Sequence, residues 1–177
     1  MFLDRDGVIN ETDVREGRAV APTRFEDFRF MPGIHELVKM LRAEEFKLIV
    51  VTNQPDAVHG GVERETIERM HQRVYEVLEV EKIYACFHVD SDGCECRKPK
   101  PGMLLEAAKD FHIELAQSFV IGDTWRDMEA GKAAGCTTIL LSNGYNGYKE
   151  NCGDQIDSIV YSLREAGETI LAGTRQT

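Results

Sequence analysis

Apolar positions along the chain fall into two alternating rhythms. Met1-Phe2-Leu3 and Leu48-Ile49-Val50-Val51 are continuous apolar runs, the pattern of strands buried on both faces, and the second predicts a strand over residues 47–52. Between them Ile34, Leu37, Val38 and Leu41 recur at i, i+3, i+4 and i+7 behind Pro32-Gly33, predicting an amphipathic helix with its proline near the first turn. The two rhythms then repeat. A helix is predicted over 63–78, with Ile67, Met70, Val74 and Val77 on its apolar side, then a strand over 83–87, a helix over 103–111 and a short strand over 119–121. A helix over 127–134 closed by Gly135, a strand over 137–141, a weaker strand near Ile159 and a helix over 163–171 complete the series.

Strands alternating with helices of this length predict an α/β fold, a three-layer α/β/α sandwich around a mostly parallel sheet, with ligands bound beyond the carboxyl ends of the strands. Asp4 then ends the first strand, Thr52 the second, and Asp123 a later one, so all three converge on one rim. The longest irregular stretches, 10–30 and 55–62, are too short for a lid domain, and residues 1–177 read as a single domain. Only three apolar residues precede Asp4, fewer than the about five or six of a typical strand, which leads us to expect that a few residues are missing ahead of Met1.

Charge narrows the partners. With 31 acidic and 21 basic side chains the formal charge is −10, so no global basic field recruits nucleic acid, and an anionic substrate must be drawn by a local group of cations. No stretch approaches the roughly 20 apolar residues of a membrane span and nothing resembles a secretory leader, so we expect a soluble cytoplasmic protein. No surface stripe suggests self-association, and a monomer is expected.

Three of the five cysteines fall in one segment. Cys86-Phe87-His88 followed by Cys94-Glu95-Cys96 gives C-x-H-x₅-C-x-C, four soft or borderline ligands that fill a tetrahedral site and so predict structural zinc in a loop over 86–101. The alternative is buried cysteines beside a surface histidine. Cys136 and Cys152 lie outside the spacing and read as ordinary thiols.

Four further segments carry candidate chemistry. Asp4-Arg5-Asp6-Gly7 places two carboxylates at a strand end, where they either form a turn or hold a divalent cation and attack phosphorus. Val51-Thr52-Asn53-Gln54 offers a hydroxyl and backbone N–H groups that bind phosphate oxygens, or a plain polar turn. Arg97-Lys98-Pro99-Lys100-Pro101-Gly102 sets three cations in a segment expected to be extended, ahead of a helix, as an anion site or a solvated face. Gly122-Asp123 with Asp127 one turn later supplies a third strand-end carboxylate and a fourth that caps the helix or serves the site.

In this order on an α/β chain, Asp4-x-Asp6-Gly7, Thr52, Lys98 and Gly122-Asp123-x-x-x-Asp127 resemble the four motifs of the haloacid dehalogenase (HAD) superfamily of phosphotransferases over essentially the whole length. The resemblance implies that Asp4 is the nucleophile, forming an aspartyl phosphate, and that Asp6 is general acid and then base. It implies Mg²⁺ held by the Asp4 carboxylate, the Asp6 backbone carbonyl and Asp123, with Asp127 orienting from behind. Thr52, the Asn53 N–H and Lys98 would hold the phosphoryl oxygens.

The zinc loop, the missing lid and Arg97-Lys98-Pro99-Lys100-Pro101-Gly102-Met103 narrow the resemblance to phosphatases of small phosphorylated sugars, the heptose bisphosphate group, with the histidinol-phosphate group as the alternative. The five-residue gap between His88 and Cys94 suits the second group equally, and segments 11–24 and 55–60 depart from the heptose pattern where the leaving group would lie. Arg97, the cation next to Lys98, is the expected contact for a second phosphate or a hydroxyl. A phosphatase of nucleic-acid ends is disfavoured by the acidic charge. A zinc-stabilised binding module without catalysis would have lost a chemical position, yet Asp4, Asp6, Thr52, Lys98 and Asp123 are all present.

Overall fold

The computed structural model describes residues 1–15, 18–57, 61–142 and 153–174. In chain order the strands are β1 (Phe2–Leu3), β2 (Asp13–Arg15), β3 (Arg18–Val20), β4 (Ile49–Asn53), β5 (Lys82–Cys86), β6 (Phe119–Gly122), β7 (Thr137–Leu141) and β8 (Ser158–Val160). The helices are α1 (Ile34–Ala43), α2 (Arg64–Leu78), α3 (Gly102–Phe111), α4 (Trp125–Ala134) and α5 (Leu163–Thr174). Six strands form one sheet in the order β5-β4-β1-β6-β7-β8, and every neighbouring pair is parallel.

Continuous apolar runs became strands covered on both faces because successive side chains point to opposite sides. Leu3, Val50, Ile121 and Ile139 face a core completed by Leu37 of α1, Val74 of α2 and Ile170 of α5. Phe2, Ile49, Val51 and Val120 face a second core against Leu104 of α3 and Ala130 of α4. The sheet is therefore the middle of three layers. Although β1 has two residues, it is paired on both sides, Phe2 with Ile49 and Val120, Leu3 with Val50 and Ile121. The Asp4 N–H extends that pairing to the Ile121 carbonyl at 3.0 Å, which fixes the first carboxylate at the strand tip. Strand order reverses direction at β1, and the crevice this leaves is where parallel α/β sheets bind ligands.

Several elements differ from expectation. Residues 10–30, expected to be irregular, contain the β2–β3 hairpin, whose Asp13, Val14 and Arg15 are all exposed. With no face against a core, the strand lacks apolar alternation. Helix α4 starts at Trp125 rather than 127 because Thr124 caps it, with the Thr124 side chain and Asp127 exchanging bonds to each other's backbone. On α2 the buried face is Ile67, Met70, His71, Val74 and Leu78, so a histidine joins the apolar stripe and Leu78 replaces Val77 as its last member. Among the described residues no helix is long and apolar enough to cross a membrane. Cys152 and positions 58–60 lie outside the described residues.

Candidate active site

The expected residues meet at the carboxyl ends of β1, β4 and β6. Asp4, Asp6, Thr52, Asn53, Arg97, Lys98 and Asp123 all line one cavity of about 480 Å³. Asp127 lies beneath them, fully buried. A larger groove of about 860 Å³ between Phe25–Phe30 and α2 gathers none of these groups.

Lys98 organises the floor. Its Nζ is 2.9 Å from Asp4 Oδ1 and donates to Asp127 Oδ1 at 2.5 Å and to the Val51 carbonyl at 2.8 Å, which engages all three ammonium protons. Burial alone would discharge the lysine, but the Asp127 and Asp4 carboxylates outweigh it and hold its pKa above the ordinary value. Asp127 spends its other oxygen on Thr124, accepting from the N–H at 3.2 Å and the hydroxyl at 2.6 Å. It therefore acts as an anchor for Lys98 and for the N-terminus of α4. Gly122 makes this possible, since a Cβ there would stand 2.1 Å from the Asp127 Cβ and 2.4 Å from its Cγ.

Asp4 Oδ1 also accepts the Arg5 N–H at 2.7 Å. Burial, then the Asp127 charge, push the Asp4 carboxyl up to about 7, with Lys98 opposing them. One carboxyl oxygen from each of Asp4, Asp123 and Asp127 lies within 4.8 Å of the others. Three carboxylates this close together concentrate negative charge, which is costly away from water. A hard, all-oxygen donor set with that charge fits a divalent ion such as Mg²⁺.

Asp6 sits in a different environment. Its Oδ1 accepts from Arg5 Nε at 3.2 Å, Arg5 Nη2 at 2.9 Å and Asn10 Nδ2 at 3.0 Å; its Oδ2 accepts from Arg5 Nη2 at 2.9 Å and Gln54 Nε2 at 2.7 Å. Burial would raise this carboxyl, but the Arg5 charge, then the Asn10, Arg5 and Gln54 bonds, prevail and hold it below the usual range. The two carboxylates of the first motif are thus driven in opposite directions. Gln54 Nε2 also donates to Thr52 Oγ1 at 2.8 Å, so the threonine hydroxyl has its own proton left for an oxygen in the cavity.

The Arg97–Gly102 segment is a set of bends and a turn rather than an extended stretch, closed by a Lys100 N–H to Arg97 carbonyl bond of 2.9 Å. Its cations consequently part. Lys98 goes into the site, Lys100 turns out to Glu95 at 2.7 Å, and Arg97 Nε pairs with Asp90 at 2.6 Å while its Nη1 is buried without a hydrogen-bond partner. Asn53 holds the segment in place, donating to the Lys98 carbonyl at 3.0 Å and accepting the Lys98 N–H at 3.1 Å.

Cys86, His88, Cys94 and Cys96 converge beside it. Sulfur–sulfur distances run from 3.2 to 3.7 Å, and His88 Nδ1 is 3.5 Å from Cys86 Sγ and 3.4 Å from Cys96 Sγ. A tetrahedron with metal–sulfur bonds of about 2.3 Å has edges of about 3.8 Å, so the four atoms stand close to the positions zinc requires.

Several functional residues escaped the sequence reading. Arg5, Asn10 and Gln54 around Asp6 are one group, and the only clue to them was an arginine between two aspartates at a strand that must be buried. Thr12, Ala19, Val20 and Ala21 bring the hairpin to the cavity wall, and Arg126, stacked 4.6 Å over the Trp125 ring, lines it too.

Residues 95–166 match the family model described as Hydrolase_like, HAD-hydrolase-like. The chain is 40% identical over 147 residues to the D-glycero-beta-D-manno-heptose-1,7-bisphosphate 7-phosphatase of Helicobacter pylori, covering 80% of this chain and 82% of that protein. It is 37% identical over 148 residues to the D-glycero-alpha-D-manno-heptose-1,7-bisphosphate 7-phosphatase of Campylobacter jejuni, covering 81% of each. Among solved structures, the D,D-heptose 1,7-bisphosphate phosphatase of B. bronchiseptica, complexed with magnesium and phosphate, superposes with a TM-score of 0.79 at 25% identity over 98% of both chains. With this identity and coverage added to the four motifs at one rim, the chain belongs to the heptose-1,7-bisphosphate 7-phosphatase family of the HAD-like hydrolases.

Proposed function

We propose that this protein hydrolyses the 7-phosphate of a D-glycero-D-manno-heptose 1,7-bisphosphate, releasing the heptose 1-phosphate and inorganic phosphate. The observation that carries the reading is the cavity in which Asp4, Asp6, Thr52, Lys98 and Asp123 stand together in a chain of that family.

Asp4 is the nucleophile. Its Oδ1 is engaged by Lys98 and the Arg5 N–H, so Oδ2 is the oxygen that attacks phosphorus. As that O–P bond forms, the bond from phosphorus to the sugar oxygen breaks, and Asp6 gives the departing oxygen its proton. The phosphate dianion arriving beside Asp6 opposes Arg5 and raises the carboxyl, so that Asp6 takes up from solvent the proton it then donates. Asp6 then takes a proton from water as that water attacks the aspartyl phosphate and frees Asp4. Thr52 and the Asn53 N–H donate to the phosphoryl oxygens while Lys98 offsets their charge. Asp4, Asp123 and the Asp6 backbone carbonyl would hold Mg²⁺, which supplies charge neutralisation for the phosphoryl group when bound.

Arg97 belongs to the sugar end. Its Nη1, buried at the cavity wall without a partner, suits an anionic oxygen of the substrate's second phosphate or a hydroxyl. Cys86, His88, Cys94 and Cys96 hold a structural zinc in this reading, and its task is to fix the loop that delivers Arg97 and Lys98.

The test compares kcat/KM for both anomers of heptose 1,7-bisphosphate, histidinol phosphate and fructose 1,6-bisphosphate, alongside Asp4→Asn. We expect a heptose anomer to lead by tenfold or more, about 1.4 kcal/mol in the transition state, and Asp4→Asn to abolish release. A tenfold preference for histidinol phosphate overturns the substrate, and near wild-type turnover by Asp4→Asn overturns the nucleophile.

A further inference from the structure

Arg5 sits between Asp4 and Asp6 and is 1% exposed, a full charge inside the first core layer. Such a guanidinium is tolerated only when its donors are met. Nε and Nη2 donate to Asp6, Nη2 also donates to Gln54 Oε1 at 3.0 Å, and Nη1 lies 3.2 Å from Nε2 of His71 on α2. A guanidinium has no acceptor, so His71 Nε2 must be the unprotonated nitrogen and accept the bond. His71 is itself 5% exposed within the apolar stripe of α2, between Ile67 and Val74. A histidine there gives up the apolar packing a leucine would supply, and its visible return is the bond to Arg5.

We propose that His71 is a positioning residue for catalysis, which through Arg5 sets the orientation of the Asp6 acid/base. The chain of contacts is His71 Nε2, Arg5 Nη1, the guanidinium plane, and both Asp6 oxygens. Because the guanidinium is rigid and planar, fixing Nη1 at one end fixes the angle at which Nε and Nη2 present themselves to Asp6. Without an acceptor at position 71, Arg5 has one buried donor unmet and is free to rotate toward Gln54. Asp6, 17% exposed at its side chain and facing the cavity, then loses its alignment with the leaving oxygen. Misplacing a catalytic group lowers turnover more than binding, since ground-state phosphate contacts come from Thr52, Asn53 and Lys98.

The inference rests on the acid/base role of Asp6, so the experiment carries Asp6→Asn as a separate arm. His71→Gln keeps an acceptor oxygen near the Nε2 position, and His71→Leu removes it while filling the space. We expect His71→Leu to lower kcat about tenfold or more with KM within threefold of wild type, and His71→Gln to recover most of that loss. A double-mutant cycle with Arg5→Lys, which cannot reach His71 and Asp6 together, should be strongly non-additive in kcat. If His71→Leu does not fold, His71→Met takes its place, and the ¹⁵N spectrum of wild-type His71 should in any case show Nε2 unprotonated at neutral pH. The proposal is overturned by a folded His71→Leu or His71→Met with kcat within threefold of wild type, by an additive cycle, by a His71→Gln no faster than the leucine variant, or by a protonated Nε2. Near wild-type turnover in Asp6→Asn would instead overturn the reading of Asp6.

Discussion

Lys98 and Asp127 form a buried ion pair, Nζ to Oδ1 2.5 Å, in which neither side chain is more than 3% exposed. The pair is not redundant with the phosphate contacts, because the same ammonium also reaches Asp4 at 2.9 Å. Asp127 therefore sets where Lys98 stands, and Lys98 sets the charge felt by Asp4, the proposed nucleophile. Among the described residues Lys98 is the cation that contacts both Asp4 and Asp127, two of the three clustered carboxylates.

Lys98→Met should reduce kcat by about 10² to 10³, the range expected for losing a preorganised charge on the transferring group. Removing Asp127 should act differently. Asp127→Ala leaves Lys98 with Asp4 as its one carboxylate partner beside the Val51 carbonyl and unties the cap of α4, so we expect a loss of about 3 to 5 kcal/mol in stability besides reduced turnover. Urea unfolding of the two variants distinguishes the effects, and an Asp127→Ala as stable as wild type would contradict the anchoring role.

Gly122→Ala should be poorly tolerated although it adds a single methyl group. The new Cβ would overlap Asp127, whose position is fixed by Lys98 and Thr124, and neither partner can yield without uncovering a buried charge. We expect lower stability and at least tenfold lower kcat. A variant matching wild type in both thermal midpoint and rate would show that the β6 end relaxes freely.

Much of this site was legible in the sequence because its parts fall where two periodicities change. A strand end is marked by the last residue of an apolar run, so Asp4, Thr52 and Asp123 were placed on one rim from pattern alone. The exposed β2–β3 hairpin left no such mark, since neither face of its strands meets a core and only burial makes residues alternate. The bent path of Arg97–Gly102 was also hidden, because it is dictated by Asn53, the Arg97–Lys100 turn and the clustered thiols rather than by local propensity. His71 was missed for the opposite reason. The apolar side of α2 reads as complete with Ile67, Met70, Val74 and Val77, so nothing in the pattern marks His71 as buried beside them.

Purified without chelator, the protein should carry one zinc per chain, lost in Cys94→Ser. Structural zinc contributes roughly 10 to 16 kcal/mol in small finger peptides. Because the loop aims Arg97 and Lys98, metal loss should raise KM and lower kcat together, beyond what Mg²⁺ addition restores. Metal analysis finding no zinc, or a Cys94→Ser enzyme with unchanged kinetics, would remove the mechanical role assigned to the cluster.

His71 also gives the fold a defined weakness toward acid. Burial, then the Arg5 charge, lower its pKa from 6.5 to about 4, with Asp6 opposing them. In the unfolded chain His71 takes up a proton near pH 6.5, while the folded protein resists it until about pH 4. The unfolded state thus binds more protons between these values, and stability falls as pH drops through this window, by up to about 3 kcal/mol. Urea midpoints measured from pH 7 to 4.5 should fall more steeply for wild type than for His71→Gln, which has no proton to gain. Parallel curves for the two proteins would mean that folded His71 gains its proton as readily as the unfolded chain does, which a guanidinium 3.2 Å away opposes.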